Sequence, residues 1–206
     1  MKANKNKRKF NISEIKKNIL KLDTSYTHER KIQFLLDIRG YLIINKVRGN
    51  YIEFGSFLSE MQVAAFHILS KTNSISNFFG IDIFKKFQGF NCSYEKVKKD
   101  LKKISTKLKI IKLDLSKKKN LTKLDCSINI SVIDCNEKRS LINSLEYSIK
   151  NIVSGGIIYI DDYFVLDQDN LMLKSSLKKF LNKYNKKSEF FKTYPPFGLA
   201  IIILDK

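Results

Sequence analysis

The chain has 206 residues, 43% of them hydrophobic and 12% aromatic, with only 8 Gly and 2 Pro. That is enough for one domain with a proper core, and it excludes a collagenous, low-complexity or wholly disordered polymer. Basic residues outnumber acidic ones by 39 to 20, a net charge of +19. The excess is almost all lysine, Arg being confined to Arg8, Arg30, Arg39, Arg48 and Arg139, so it reads as a solvated coat in preference to a nucleic-acid footprint, which would favour the bidentate Arg fork.

The first ten residues read as a frayed basic arm with no apolar core or cleavage site behind it, so no secretory signal is expected. Residues 12–22 and about 28–45 carry apolar side chains at three- and four-residue spacing and predict helices. An alternation follows: strand 51–54, helix 58–69, strand 78–83, helix 94–104, strands 108–113 and 128–133, helix 139–152, strand 157–160 and helix 170–184. Strands alternating with helices predict a parallel α/β sheet covered on both faces. Residues 189–194 and 199–204 break the pattern, because Pro195, Pro196, Phe197 and Gly198 are too short a link for anything but an antiparallel hairpin. The expected division is a basic arm and helical lid or cap over 1–46 and a catalytic domain over 47–206. No apolar run approaches the roughly 18 to 20 residues needed to span a bilayer. Cys92, Cys126 and Cys135 form no CxxC pair. A cytoplasmic protein without a membrane partner is the expectation.

In an open parallel sheet, ligands bind beyond the carboxyl ends of the strands, where strand order reverses. The first strand ends in Glu53, Phe54 and Gly55, followed by Ser56 and Ser59 at the opening of a helix. Gly55 permits a tight turn, and the helix N–H groups favour an anion or carboxylate. Neither GxGxxG nor GxxxxGK[ST] is present, which disfavours dinucleotides and nucleoside triphosphates. Asp82 ends the second strand, where a carboxylate can hold a ribose diol; taken alone it is as readily a turn or cap acid. Asp134 ends the fourth strand beside Cys135, which reads as a small packing residue, and Asp161 and Asp162 end the fifth. Three carboxylates on one rim repel unless a proton or a cation intervenes, and a hard divalent ion such as Mg²⁺ answers that repulsion. Singly, Asp161 or Asp162 also reads as a capping acid.

Four runs carry a resemblance: Tyr51-Ile-Glu-Phe-Gly-Ser-Phe-Leu-Ser59, Gly80-Ile-Asp-Ile83, Ile133-Asp-Cys-Asn136 and Ile152-Val-Ser-Gly-Gly-Ile-Ile-Tyr-Ile-Asp-Asp-Tyr163. Together they resemble the macrocin O-methyltransferase family, from about residue 25 onward. The resemblance implies a class I methyltransferase fold, Rossmann-like, with a mostly parallel seven-stranded sheet, helices on both faces and a terminal antiparallel hairpin. It implies S-adenosylmethionine as cofactor, with Glu53, Gly55, Ser56 and Ser59 on its methionine side and Asp82 on its ribose. It also implies that Asp134, Asp161 and Asp162 bind Mg²⁺, that Asp134 borders the cofactor and is the general base, and that the acceptor is a hydroxyl of a sugar or nucleotide sugar. A homodimer is compatible with it. The family has glycine where this chain has Ser59, a second aspartate where it has Asn136, and a longer region before Glu53.

Two other readings stay open. The charge and the Lys2–Lys9 arm favour an RNA methyltransferase on the same fold, although Tyr194-Pro-Pro-Phe197 lies some 60 residues beyond Asp134 and reads as a turn, not as a base-stacking loop. Ser59 and Asn136 favour a degenerate, non-catalytic binding protein.

Overall fold

The computed structural model describes residues 29–85, 93–161, 163–164, 170–194 and 198–206. Within these, the strands are β1 (Gly49–Phe54), β2 (Ile75–Asp82), β3 (Leu108–Lys112), β4 (Ile128–Ile133), β5 (Ile152–Ile160), β6 (Lys186–Tyr194) and β7 (Gly198–Asp205). The helices are α1 (Glu29–Asn45), α2 (Glu60–Leu69), α3 (Tyr94–Ile104), the short α4 (Lys118–Leu121), α5 (Lys138–Asn151) and α6 (Asn170–Lys183). A 3-10 turn at Ser70–Thr72 closes α2. Among the described residues no helix is long and apolar enough to cross a membrane.

The seven strands form one sheet in the order β3-β2-β1-β4-β5-β7-β6. The pairs β3/β2, β2/β1, β1/β4 and β4/β5 are parallel, and β5/β7 and β7/β6 are antiparallel. This is the predicted parallel sheet finished by a hairpin. Two apolar clusters cover its faces. On one, Phe34, Leu35, Ile38 and Leu42 of α1, Met61, Ala65 and Ile68 of α2 and Leu101 of α3 pack on Tyr51, Phe78, Ile130 and Tyr159. On the other, Leu141, Leu145 and Ile149 of α5 and Leu173 and Phe180 of α6 pack on Ile52, Phe54, Ile133, Ile158 and Ile203. The apolar stripe of α1 thus belongs to the main core on one face of the sheet.

Where the elements differ from the sequence expectation, polar residues or glycines hide the strand. β5 begins at Ile152, not at Ile157, because Ser154-Gly155-Gly156 forms a bulge inside the strand: Ile128 pairs with Ile152 while Ile130 pairs with Ile157. Gly155 sits there at φ 81°. β2 begins at Ile75, since Ser76 and Asn77 interrupt its apolar pattern, and Asn77 is tied to Asn50 by a side-chain hydrogen bond of 3.2 Å. The predicted helix over 12–22, His28, Cys92 and the Pro195–Phe197 link lie outside the described residues.

Because β1 is flanked by β2 on one side and β4 on the other, the chain reverses its direction of travel across the sheet between β1 and β4. A crevice opens at such a point beyond the carboxyl ends of the strands. Asp82, Glu53, Asp134 and Asp161 sit at or just beyond the ends of β2, β1, β4 and β5, four neighbouring strands in that order.

Candidate functional site

The β1–α2 turn is built by left-handed backbone: Gly55 at φ 83°, Phe57 at φ 43° and Ser59 at φ 63°. Gly55 cannot be replaced without displacement, since a Cβ there would meet the Asp134 carbonyl oxygen at 2.0 Å. The Asp134 N–H in turn donates to the Phe54 carbonyl at 2.9 Å, and the Gly55 N–H to the Ile81 carbonyl at 2.9 Å. The ends of β1, β2 and β4 are therefore laced together at the switch point. Ser59 caps α2 with its backbone, its carbonyl accepting from the Val63 N–H at 3.0 Å, while its side chain makes no capping bond. The Ser59 and Ser56 hydroxyls and the Gln62 Oε1 atom are buried without a hydrogen-bond partner. Buried polar atoms in folded proteins are seldom left so, and a ligand is one thing that completes them. Gly80 lets these side chains close on β2, as a Cβ there would lie 2.7 Å from Gln62 Oε1 and 2.9 Å from Ser56 Oγ.

Asp82 accepts the Phe57 N–H at Oδ2 and the Phe84 N–H at Oδ1, both at 2.9 Å. It fastens the end of β2 to the β1–α2 turn. An ionised carboxylate has about four lone-pair sites, so two of these bonds leave it acceptor capacity toward a ligand.

At the next two strand ends the acids meet a cation. The Lys31 ammonium, from the first turn of α1, lies 2.5 Å from Asp134 Oδ2 and 2.9 Å from Asp161 Oδ2. Its side chain is 1% exposed, that of Asp161 4% and that of Asp134 24%. Burial opposes the charge on Lys31, but the negative charges of Asp134 and Asp161 and their hydrogen bonds outweigh it and hold its pKa well above the lysine range. Lys31 is thus a fixed cation. Two tyrosines steady the acids by the same two-residue step along a strand: Tyr159 donates to Asp161 Oδ1 at 2.8 Å and Tyr51 to Glu53 Oε2 at 3.4 Å. Burial pushes the Glu53 carboxyl well above its ordinary range, Lys31 pulls it back only in part, and Asp134 adds to the rise. Glu60, the first residue of α2, is pushed up to about 7 by burial against a smaller opposing pull from Lys31. Burial likewise raises the Cys135 thiol, which opposes the thiolate that a nucleophile needs.

The repulsion that suggested a divalent ion is therefore answered, among the described residues, by a lysine. No group of three His, Cys, Asp or Glu side chains among them is placed to hold a metal ion. Asp162, the third of the expected ligands, lies outside the described residues, and Asn136 is exposed two residues beyond Asp134.

No protein-family model matches this sequence, and no curated protein does. Solved structures do match. The O-methyltransferase NovP superposes with a TM-score of 0.68 at 14% identity, over 86% of this chain and 80% of NovP. CalS11, a TDP-rhamnose 3'-O-methyltransferase of calicheamicin biosynthesis, gives 0.56 at 16% identity, over 92% of this chain and 93% of CalS11. A putative caffeoyl-CoA O-methyltransferase from Staphylococcus aureus gives 0.57 at 14% identity, over 95% and 92%. The fold is the class I methyltransferase fold. In this fold the strand ends around the β1/β4 switch point bring together Glu53, Gly55, Ser56, Ser59, Asp82, Asp134 and Asp161, the residues singled out by the sequence.

Lys31 and Glu60 were not named. A signal for Lys31 was present: it stands in register with Phe34, Leu35, Ile38 and Leu42, all of them completely buried, on the apolar stripe of α1. A lysine on a core stripe calls for a buried anion. Glu60 carries no comparable signal, because an acid in the first turn of a helix is ordinary.

Proposed function

We propose that this chain is an S-adenosylmethionine-dependent O-methyltransferase of the macrocin O-methyltransferase type, acting in the cytoplasm on a hydroxyl of a sugar or sugar-containing small molecule such as a nucleotide sugar. The observation that carries the reading is the β1–α2 turn at the switch point. There a glycine is sterically obligatory, and two buried serine hydroxyls lack partners beside a carboxylate with acceptor capacity to spare. The likeness to NovP, an O-methyltransferase, and to CalS11, a TDP-rhamnose 3'-O-methyltransferase, supports hydroxyl and sugar as the acceptor class. So does the resemblance carried by the Gly155–Tyr163 run.

The residues present fit the cofactor. Glu53, Gly55, Ser56 and Ser59 would hold its amino-acid end, where the serine hydroxyls would gain the partners they lack. Asp82 would accept its ribose hydroxyls. When bound, S-adenosylmethionine supplies a methyl group activated by a sulfonium. Asp134 is the candidate general base, since its partly exposed carboxylate faces the rim and has oxygen lone pairs left after pairing with Lys31. Alignment of the acceptor by the rim side chains then carries much of the rate, because methyl transfer asks for little covalent help from the protein.

The residues that would hold Mg²⁺ are Asp134, Asp161 and Asp162. With Lys31 joined to the first two, this arrangement does not fit a divalent ion between them, and no step is assigned to one.

The test is methyl transfer from S-adenosylmethionine carrying a labelled methyl group to a panel of glycosides and nucleotide sugars, with total RNA as a separate acceptor. Label in a sugar hydroxyl as an ether, lost in Asp134→Ala while cofactor binding survives, is the expected result. Label in RNA alone, or no transfer with the cofactor unbound, contradicts the reading.

A further inference from the structure

Lys31 is the feature that the methyltransferase reading does not account for. A cation in the first turn of a helix opposes the macrodipole, and a buried ammonium is costly unless paired, so nothing local to α1 explains a lysine there. What explains it is the pair of carboxylates it meets. Divalent cations bind carboxylate oxygens at about 2.0 to 2.6 Å. The Lys31 nitrogen stands 2.5 Å and 2.9 Å from one oxygen of Asp134 and one of Asp161, so it fills the point between them that such an ion would fill. Size and like charge make the two occupants mutually exclusive. The helix that carries Lys31 is anchored in the core by Phe34, Leu35 and Ile38, and the lysine side chain itself is 1% exposed.

We propose that Lys31 is a built-in replacement for the divalent cation: its ammonium joins Asp134 to Asp161 and neutralises the pair from within, so that the acidic rim stands without an added metal. Asp134, the more exposed of the two acids, is the one left to meet the acceptor. Lys31 keeps all its protons throughout, which is what separates its role from that of an acid or a base.

The inference rests on the methyltransferase reading, and the experiment separates the two. Free Mn²⁺ is followed by electron paramagnetic resonance as it is titrated into the full chain, with binding of S-adenosylhomocysteine measured on the same preparation by calorimetry. The wild type is expected to leave the Mn²⁺ signal unchanged. Lys31→Ala, which empties the point between the carboxylates, is expected to take up one Mn²⁺ with affinity raised at least about tenfold, and Lys31→Ala combined with Asp134→Asn to lose it again. Uptake of one Mn²⁺ by the wild type, abolished by Asp134→Asn, overturns the proposal even if Lys31→Ala does not fold. A folded Lys31→Ala that gains no Mn²⁺ site overturns it too. Failure of the wild type to bind S-adenosylhomocysteine strikes the methyltransferase reading instead, and the Mn²⁺ titration still decides what occupies the acidic pair.

Discussion

Lys31 and Glu146 are both charged residues removed from water, one on each face of the sheet, and they are neutralised in opposite ways. Glu146, in α5, receives Lys118 Nζ at 2.5 Å, Lys183 Nζ at 2.8 Å and the Tyr184 hydroxyl at 3.0 Å. Its lysines are 60% and 50% exposed, long surface side chains that fold inward to tie α4, α5 and the end of α6 together. Lys31 is the reverse case: the long side chain is buried, and its acids are held at strand ends by backbone pairing and by a tyrosine. Flexible cations around an acid make a structural clasp that water can partly replace. A buried cation among acids fixed at strand ends makes a rigid charge beside the β1/β4 switch point.

Breaking each cluster in turn tests that difference, and the largest effect belongs to Lys31. Lys31→Met keeps the stem and removes the charge, leaving Asp134 and Asp161 facing each other without the cation, and is expected to cost about 3 to 5 kcal/mol in urea unfolding. Glu146→Gln keeps the shape and removes the anion; because its partners are exposed lysines, about 1 kcal/mol is expected. The pH dependence sharpens this second case. Burial raises the Glu146 pKa, but the hydrogen bonds from Lys118, Lys183 and Tyr184 prevail and bring it to about 2. Its contribution is therefore present above the usual value of 4.5 and is lost as the pH falls toward 2, so wild type and Glu146→Gln should converge in acid.

Glu60 behaves in the opposite sense. With its pKa raised from 4.5 to about 7, the folded state holds a proton that the unfolded chain has already released. The contribution of Glu60 to stability should fall as pH rises from 4.5 to 7 and be exhausted above that. Glu60→Gln should flatten that slope in urea melts across the same window, whereas Lys31→Met should steepen it by removing the charge that favours ionised Glu60. The smallest effect is expected at Ser59, which holds φ 63° with no side-chain bond in return. Ser59→Gly relieves that strain and should be neutral or stabilising by at most about 1 kcal/mol in the same melts.

The sheet was legible because its strands are runs of Ile, Val and Phe bounded by glycine or polar residues, and the helices because their apolar stripes keep a period near 3.6. β4 and α3 appear at Ile128–Ile133 and Tyr94–Ile104, the bounds read from the sequence. What the pattern hides is strand made of residues that do not look like strand: Val153–Gly156 bulges within β5, and Lys186–Ser188 opens β6 as polar edge. The acids of the site were legible for a topological reason, since a carboxylate just beyond a buried apolar run must lie at a strand end. Lys31 was not, because its meaning depends on partners about 100 and 130 residues away, Asp134 and Asp161, and it is one lysine among 39 basic residues. Only the phase of α1, which sets residue 31 on the same side as Phe34 and Ile38, distinguishes it from the surface lysines.

The central claim, that the β1/β4 crevice binds S-adenosylmethionine, is tested most directly by a thermal melt of the full chain with S-adenosylhomocysteine. At about 100 times its dissociation constant a one-site ligand adds roughly 2.7 kcal/mol, which for a chain of this length raises Tm by roughly 5 to 10 °C. The account predicts that rise for the wild type and its loss in Asp82→Ala, whose own cooperative melt without ligand serves as the baseline. An unchanged Tm at saturating S-adenosylhomocysteine contradicts it.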